Sequence, residues 1–308
     1  MASLSLHRRA FLHQATVLST AAACGTHELW SAALARAIEP IQRNGTAKFK
    51  FSLAAYSYRD LLTSKPPKLS LEDFISDCAK MGLEGTELTS YYFPQPVTSE
   101  YLCKLKDHAF RLGLDISGTA VGNDFCHPPG EERDKQLQLV KRWVDHAAIL
   151  GAPVIRIFSG SAKAGQSPDV AHKLAVEGME ECCHYAGQRG VHLALENHGG
   201  LTSKADEMLE LVRAVKSPWF GVNLDTGNFH GADVYADLAK LAPYALNVQV
   251  KVVVSGPDGQ KKPSDFGKLA QILTSTGYRG YIVLEFEEQE DPRVACPRYV
   301  GELRKAFS

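Results

Sequence analysis

The chain has 308 residues, 44% of them hydrophobic, 22% charged and 9% aromatic. That composition excludes a disordered chain, and seven cysteines in this length exclude a disulfide scaffold. Lys plus Arg is 34 against 35 for Asp plus Glu, a net charge of −1, so no nucleic-acid partner is expected.

In chain order, Arg8 and Arg9 come first, followed by Phe11-Leu12 and a weakly apolar stretch to Ala23. Ala33-Leu34-Ala35 then offers an A-x-A cleavage site. This order reads as a twin-arginine export signal over residues 1–35. It places the mature protein in the periplasm or otherwise outside the cytoplasm. The stretch contains His13, Gln14, Thr16, Ser19 and Thr20, too polar and too short for a spanning helix of about 20 apolar residues. No stable membrane insertion is expected. The cysteines from Cys78 to Cys296 lack metal-ligand spacing with His and read as buried thiols.

Residues 36–48, with Pro40, Asn44 and Gly45, read as a linker. From 49 to 308 short apolar runs alternate with helical patterns. Strands are predicted at 49–56, 85–88, 114–119, 154–158, 191–196, 220–225, 246–252 and 281–285. Helices are predicted at 70–81, 99–112, 131–150, 167–189, 203–215, 234–241, 264–276 and 292–306. Eight such units imply a parallel sheet closed as a (β/α)8 barrel, an α/β fold in one domain. A doubly wound open sheet is the alternative, but no Gly-rich turn follows an early strand. Turns from helix to strand are short and carry Gly82, Gly113, Gly151, Gly190 and Gly277. Segments from strand to helix are long and polar, which marks that end as functional.

Strand side chains alternate between faces. If Leu193, Leu195, Val222, Leu224, Val248, Val250, Ile282 and Leu284 face the helices, then Glu196, Asp225, Gln249, Lys251 and Glu285 face inward at the C-terminal mouth. Inward carboxylates are costly unless paired or bound to a cation. Either Arg156 and Lys251 neutralise them, or a divalent metal does. Carboxylate and amide oxygens suit Mg²⁺ or Mn²⁺.

At Leu195-Glu196-Asn197-His198, Leu224-Asp225-Thr226-Gly227-Asn228 and Val283-Leu284-Glu285 the chain resembles the xylose isomerase-like TIM barrels. This is the sugar phosphate isomerase/epimerase family, with D-tagatose 3-epimerase, hydroxypyruvate isomerase and inosose dehydratase. The resemblance covers roughly residues 50–290. It implies one divalent metal held by Glu196, Asp225, Gln249 and Glu285. Gln249 stands where the family usually has His, which weakens the site and shifts it away from Zn²⁺, with Co²⁺ or Zn²⁺ as alternatives to Mg²⁺ or Mn²⁺. The resemblance also implies proton abstraction beside a sugar carbonyl through an enediolate. Glu196 and Glu285 would move the proton, and Lys251 would stabilise the oxyanion.

Glu87, Arg156, His198 and Asn228 are candidate substrate-binding residues. Tyr56, Tyr58, Tyr91, Tyr92 and Phe93 could form an apolar wall against a sugar ring, although aromatics more often pack in cores. Glu287, Glu288, Glu290 and Asp291 read as a solvated acidic loop. The expected partner is a small-molecule sugar or keto-sugar, unphosphorylated if the chain is exported. The pattern is compatible with a homo-oligomer. The leading function is a carbohydrate isomerase or epimerase. A lyase or hydrolase eliminating from a 3-keto-glycoside uses the same first step, and a non-catalytic sugar-binding barrel is the third reading.

Overall fold

The computed structural model describes residues 38–308, so the twin-arginine segment and its cleavage site lie outside the described residues. Eight strands form the ring: β1 (Lys48–Ala54), β2 (Gly85–Thr89), β3 (Asp115–Ala120), β4 (Val154–Ile157), β5 (His192–Glu196), β6 (Phe220–Asp225), β7 (Ala245–Val250) and β8 (Arg279–Leu284). All neighbours pair in parallel, and β1 pairs with β8 to close the barrel. Eight longer helices alternate with them, α1 (Leu71–Lys80), α2 (Ser99–Arg111), α3 (Glu131–Leu150), α4 (Pro168–Gly187), α5 (Ala205–Ala214), α6 (Val234–Leu241), α7 (Phe266–Ser275) and α8 (Pro292–Ala306), and a single helical turn over Arg59–Thr63 precedes α1. The chain is a (β/α)8 barrel.

Local chemistry sets the element ends. Ser70 and Asp73 form a reciprocal capping box that starts α1. Gly151, with φ of 79°, ends α3 in the left-handed region that side chains avoid. Leu193, Leu195, Val222, Leu224, Val248, Ile282 and Leu284 are buried in the hydrophobic core. Each such side chain contributes about 1.5–3 kcal/mol on leaving water.

Most boundaries lie within two residues of the sequence pattern, and two of the shifts have a local cause. β1 stops at Ala54 because the chain turns into a 3-10 helix over Ala55–Tyr58. There Ser57 Oγ accepts a hydrogen bond from the Phe286 N–H at 2.9 Å, tying the turn to the end of β8. β7 stops at Val250, and the loop after it folds into an antiparallel ribbon of Val253–Ser255 and Lys261–Pro263. The segment before β1 has no regular structure but is anchored under β7. Ile41 N–H donates to Pro243 O at 3.0 Å, and Arg43 Nη2 donates to Ala245 O at 2.6 Å.

The lumen is polar through much of its depth. Ser52 Oγ and Ser117 Oγ share a hydrogen bond of 2.7 Å across it. Nearer the N-terminal end Tyr281 donates to Asp115 Oδ2 at 2.5 Å and accepts from Lys50 Nζ at 3.3 Å. That pinned ring leaves no room on β2: a Cβ on Gly85 would lie 2.6 Å from Tyr281 Cε1. Gly85→Ala should therefore destabilise the fold by about 1–3 kcal/mol, as overpacking does. Denaturant unfolding measures this, and an unchanged midpoint would show that the ring yields.

Candidate active site

The C-terminal ends of the strands bring the charged residues together. β5 delivers Glu196, and β4 delivers Arg156 beside it, with Nε 2.9 Å from Glu196 Oε2. Arg156 Nη1 also donates to Val121 O at 3.0 Å, and its guanidinium stacks 4.0 Å from the Phe158 ring centroid. Glu196 Oε1 meets His198 Nδ1 at 2.9 Å and Asn228 Nδ2 at 3.2 Å. Asn223 Nδ2 reaches Oε2 at 3.2 Å. Both oxygens of Glu196 are thus engaged. Burial pushes its carboxyl up, but Arg156 and His198 outweigh burial and hold it below the usual range.

Lys251 serves the other side of the mouth. Its Nζ lies 2.7 Å from Glu285 Oε2, 2.6 Å from Glu287 Oε1 and 3.4 Å from Asp225 Oδ2. Burial opposes its charge, yet the three carboxylates raise its pKa above the ordinary lysine value. Asp225 is fixed by its backbone, which exchanges hydrogen bonds with the Asn197 amide at 2.8 and 2.9 Å. Gly227 N–H donates to Asp225 Oδ1 at 2.8 Å. Asp225 Oδ2 is buried with no hydrogen-bond partner. Burial, then repulsion from Glu196 and Glu285, holds the Asp225 carboxyl well above the usual range against the pull of Lys251.

Below the mouth lies a ring of amides, of which Asn223 and Asn247 are absent from the sequence-based site. Asn247 Nδ2 donates to Glu87 Oε2 and to Asn223 Oδ1, each at 2.9 Å. Asn223 Nδ2 donates to Gln249 Oε1 at 2.6 Å, and Gln249 Nε2 donates to Glu87 Oε1 at 2.6 Å. Glu87 accepts from both Asn247 and Gln249, and those two amides in turn orient Asn223. The available signal was alternation: Asn223 and Asn247 stand two residues before Asp225 and Gln249.

The four expected metal ligands can be tested against this geometry. The orphaned Asp225 Oδ2 favours an additional cation. The other three do not. Gln249 spends both amide atoms on Asn223 and Glu87. Glu196 is engaged by Arg156, His198 and two Asn amides. Glu285 is held by Lys251, whose ammonium occupies the space next to Asp225. Among the described residues no group of three or more His, Cys, Asp or Glu is arranged to hold a metal ion. The set Glu196, Asp225, Gln249 and Glu285 does not fit one divalent cation in this arrangement, because Arg156 and Lys251 stand against its carboxylates and the Gln249 amide is turned to Asn223 and Glu87.

Other candidates fall into place around this centre. Glu287 lies in the loop after β8 with its side chain 38% exposed, and its carboxylate closes on Lys251. Glu288 pairs with Lys261, Glu290 with Arg298, and Asp291 caps α8 through the Arg293 N–H. Tyr58 and Phe93 are core residues, packed on Phe74 and Trp143 rather than forming a wall. Tyr91 is about half exposed. His198 stacks on Phe158 with centroids 4.3 Å apart. A cavity of about 190 Å³ opens beside Lys251, Glu285, Glu287, Gly227, Asn228 and His230. Clefts of about 600 and 620 Å³ lie against Lys50 and Asp115 and beside Tyr91 to Pro94, and neither holds the strand-end carboxylates. Among the described residues no helix is long and apolar enough to cross a membrane.

Residues 75–299 match the family described as xylose isomerase-like TIM barrel. Inosose dehydratase from Erwinia tasmaniensis is 24% identical over 265 residues, covering 74% of this chain and 85% of that protein. The structure of D-psicose 3-epimerase with D-tagatose from Clostridium cellulolyticum H10 superposes with a TM-score of 0.70 at 16% identity, over 84% of this chain and 99% of that one. The apo structure of 3-keto-D-glucoside 4-epimerase from E. coli does so with 0.64 at 17%, over 84% and 99%. At these identities the structural matches show the fold alone.

Burial, then repulsion from Glu285, pushes the Glu87 carboxyl up from 4.5 to about 7, against hydrogen bonds from Gln249 and Asn247. A raised native value favours the protonated form, so its contribution to stability is present below 4.5 and lost as pH rises through about 7. Relative to Glu87→Gln, the wild type should lose up to about 3 kcal/mol across that window. Denaturant unfolding of both proteins from pH 4.5 to pH 8 measures the difference, and a pH-independent gap would contradict it.

Proposed function

Because the chain belongs to the xylose isomerase-like TIM barrel family, we propose that it moves a proton at a carbon next to the carbonyl of a keto-sugar, through an enediolate, as an isomerase or epimerase. The observation that carries this reading is the contact of 2.7 Å between Lys251 Nζ and Glu285 Oε2 at the barrel mouth. A cation and a carboxylate side by side suit a carbonyl oxygen and the hydrogen on its neighbouring carbon. In this reading Lys251 holds the developing oxyanion and Glu285 takes the proton. Glu196 lies on β5, three strands round the ring from β8, and works with His198 from that side. Arg156 keeps Glu196 ionised and oriented, and Asn228 fixes the Glu196–His198 pair. No step needs a bound metal. The export signal read in residues 1–35 directs the reading to unphosphorylated substrates outside the cytoplasm.

A second reading is supported by the inosose dehydratase relative. Loss of water from a carbon one further from the carbonyl starts with the same proton abstraction. It also needs an acid for the departing hydroxyl. His198 has a half-exposed side chain and is hydrogen-bonded only through Nδ1, which leaves Nε2 for that role.

The two readings separate on product mass. Purified protein is incubated with free keto-hexoses, 3-keto-glycosides and inososes. A product of unchanged mass supports isomerisation or epimerisation, and one lighter by a water supports elimination. Glu285→Gln should lower turnover by about 10²–10⁴-fold, the usual worth of a positioned proton-transfer group. Full activity in that variant, or no turnover of the whole panel by the wild type, would contradict the proposal.

A further inference from the structure

We infer that Lys251 is the resident cation of this mouth, and that the chain keeps no divalent metal among Glu196, Asp225, Gln249 and Glu285. The inference rests on where the ammonium sits, independently of the substrate. Lys251 Nζ is within 2.6–3.4 Å of Glu287, Glu285 and Asp225, which are carboxylates from two different strand ends. A hard cation bound by Asp225 and Glu285 would have to stand at that point, at about 2.0–2.6 Å from their oxygens. It and the ammonium cannot share the place, because like charges at contact repel strongly in a buried site.

The chain holds Lys251 there by its backbone and by its neighbour. The Lys251 N–H donates to Thr226 Oγ1 at 2.9 Å, and its carbonyl accepts from Ser264 Oγ at 2.7 Å. Its aliphatic stem runs past Gly227, where a Cβ would lie 2.6 Å from Lys251 Cγ and 2.9 Å from its Cβ. Gly227 thus leaves the corridor through which the ammonium reaches the carboxylates. The strand-seven position that would present a ligand instead holds Gln249, committed to Asn223 and Glu87. Glu196 has its own cation in Arg156. Each half of the mouth thus has its own cation in contact, Arg156 against Glu196 and Lys251 against Asp225, Glu285 and Glu287.

The test uses the purified full chain after dialysis against chelator, with Mn²⁺ as the probe, free Mn²⁺ read by electron paramagnetic resonance, and thermal midpoints with and without the ion. The wild type should take up no equivalent and show an unchanged midpoint. Lys251→Met leaves Asp225, Glu285 and Glu287 without their cation and should bind one equivalent at least about tenfold more tightly than the wild type, with a midpoint that rises on adding Mn²⁺. One equivalent bound by the wild type and released by Asp225→Asn overturns the inference, as does a folded Lys251→Met with no gain in binding. If Lys251→Met does not fold, Gln249→His is measured with Zn²⁺ instead. It keeps the ammonium and should still take up no equivalent, and uptake there overturns the inference. None of these measurements needs a substrate, so their failure leaves the proton-transfer reading to its own test.

Discussion

A barrel that turns Glu87, Glu196, Asp225 and Glu285 into its lumen must neutralise them from within, because each is almost wholly removed from water. Arg156 and Lys251 do most of this, one for Glu196 and one for the pair Asp225 and Glu285. Leaving one such charge unpaired costs several kcal/mol, so the positions of the two cations constrain everything around them. Arg156 is held by the Val121 carbonyl and the face of Phe158, and the same Phe158 stacks on His198. Lys251 requires the missing side chain at Gly227. The chemistry proposed for the mouth is a use of charges that the fold has already had to balance.

The amide ring beneath them follows from the same constraint. Glu87 has no cation of its own in hydrogen-bond contact, and it is stabilised by Gln249 and Asn247. Those amides pass the polarity on to Asn223 and so to Glu196. Rigid support of this kind keeps the mouth carboxylates in one geometry. It also explains why Gln249 is poorly suited to ligate a metal: its oxygen and nitrogen are already satisfied, and turning the amide would set its NH₂ against that of Asn223.

Much of this architecture could be read from the chain. Alternation along β5, β6, β7 and β8 placed Glu196, Asp225, Gln249 and Glu285 on the lumen side, and the eightfold rhythm gave the closed barrel. Pairing was harder to see. Alternation assigns a residue to a face but says nothing of what meets it there. Asn247 and Glu87 are 160 residues apart on strands that are not neighbours in the ring, and only closure of the barrel brings them together. Glu287 looked like one of several acidic loop residues because nothing local shows that the chain after β8 folds back on Lys251. The ribbon after β7 was hidden by Gly256, Pro257 and Gly259, which read as loop.

The proposed chemistry centres on one event, removal of a proton from a carbon beside a carbonyl at this mouth. Nuclear magnetic resonance of a keto-sugar substrate incubated with the protein in D₂O reads it: an enediolate that takes a proton back leaves deuterium at that carbon, and one that expels the next hydroxyl gives an enol whose ketonisation leaves deuterium at the carbon that lost it. Deuterium should appear at the carbon next to the carbonyl in recovered substrate or in a product of unchanged mass, or at the carbon that lost the hydroxyl in a dehydrated product, and Glu285→Gln should slow its appearance by about 10²–10⁴-fold. Conversion of the substrate with solvent deuterium at neither of these carbons, alongside unchanged rates in Glu285→Gln, would contradict the assignment of this carboxylate to proton transfer.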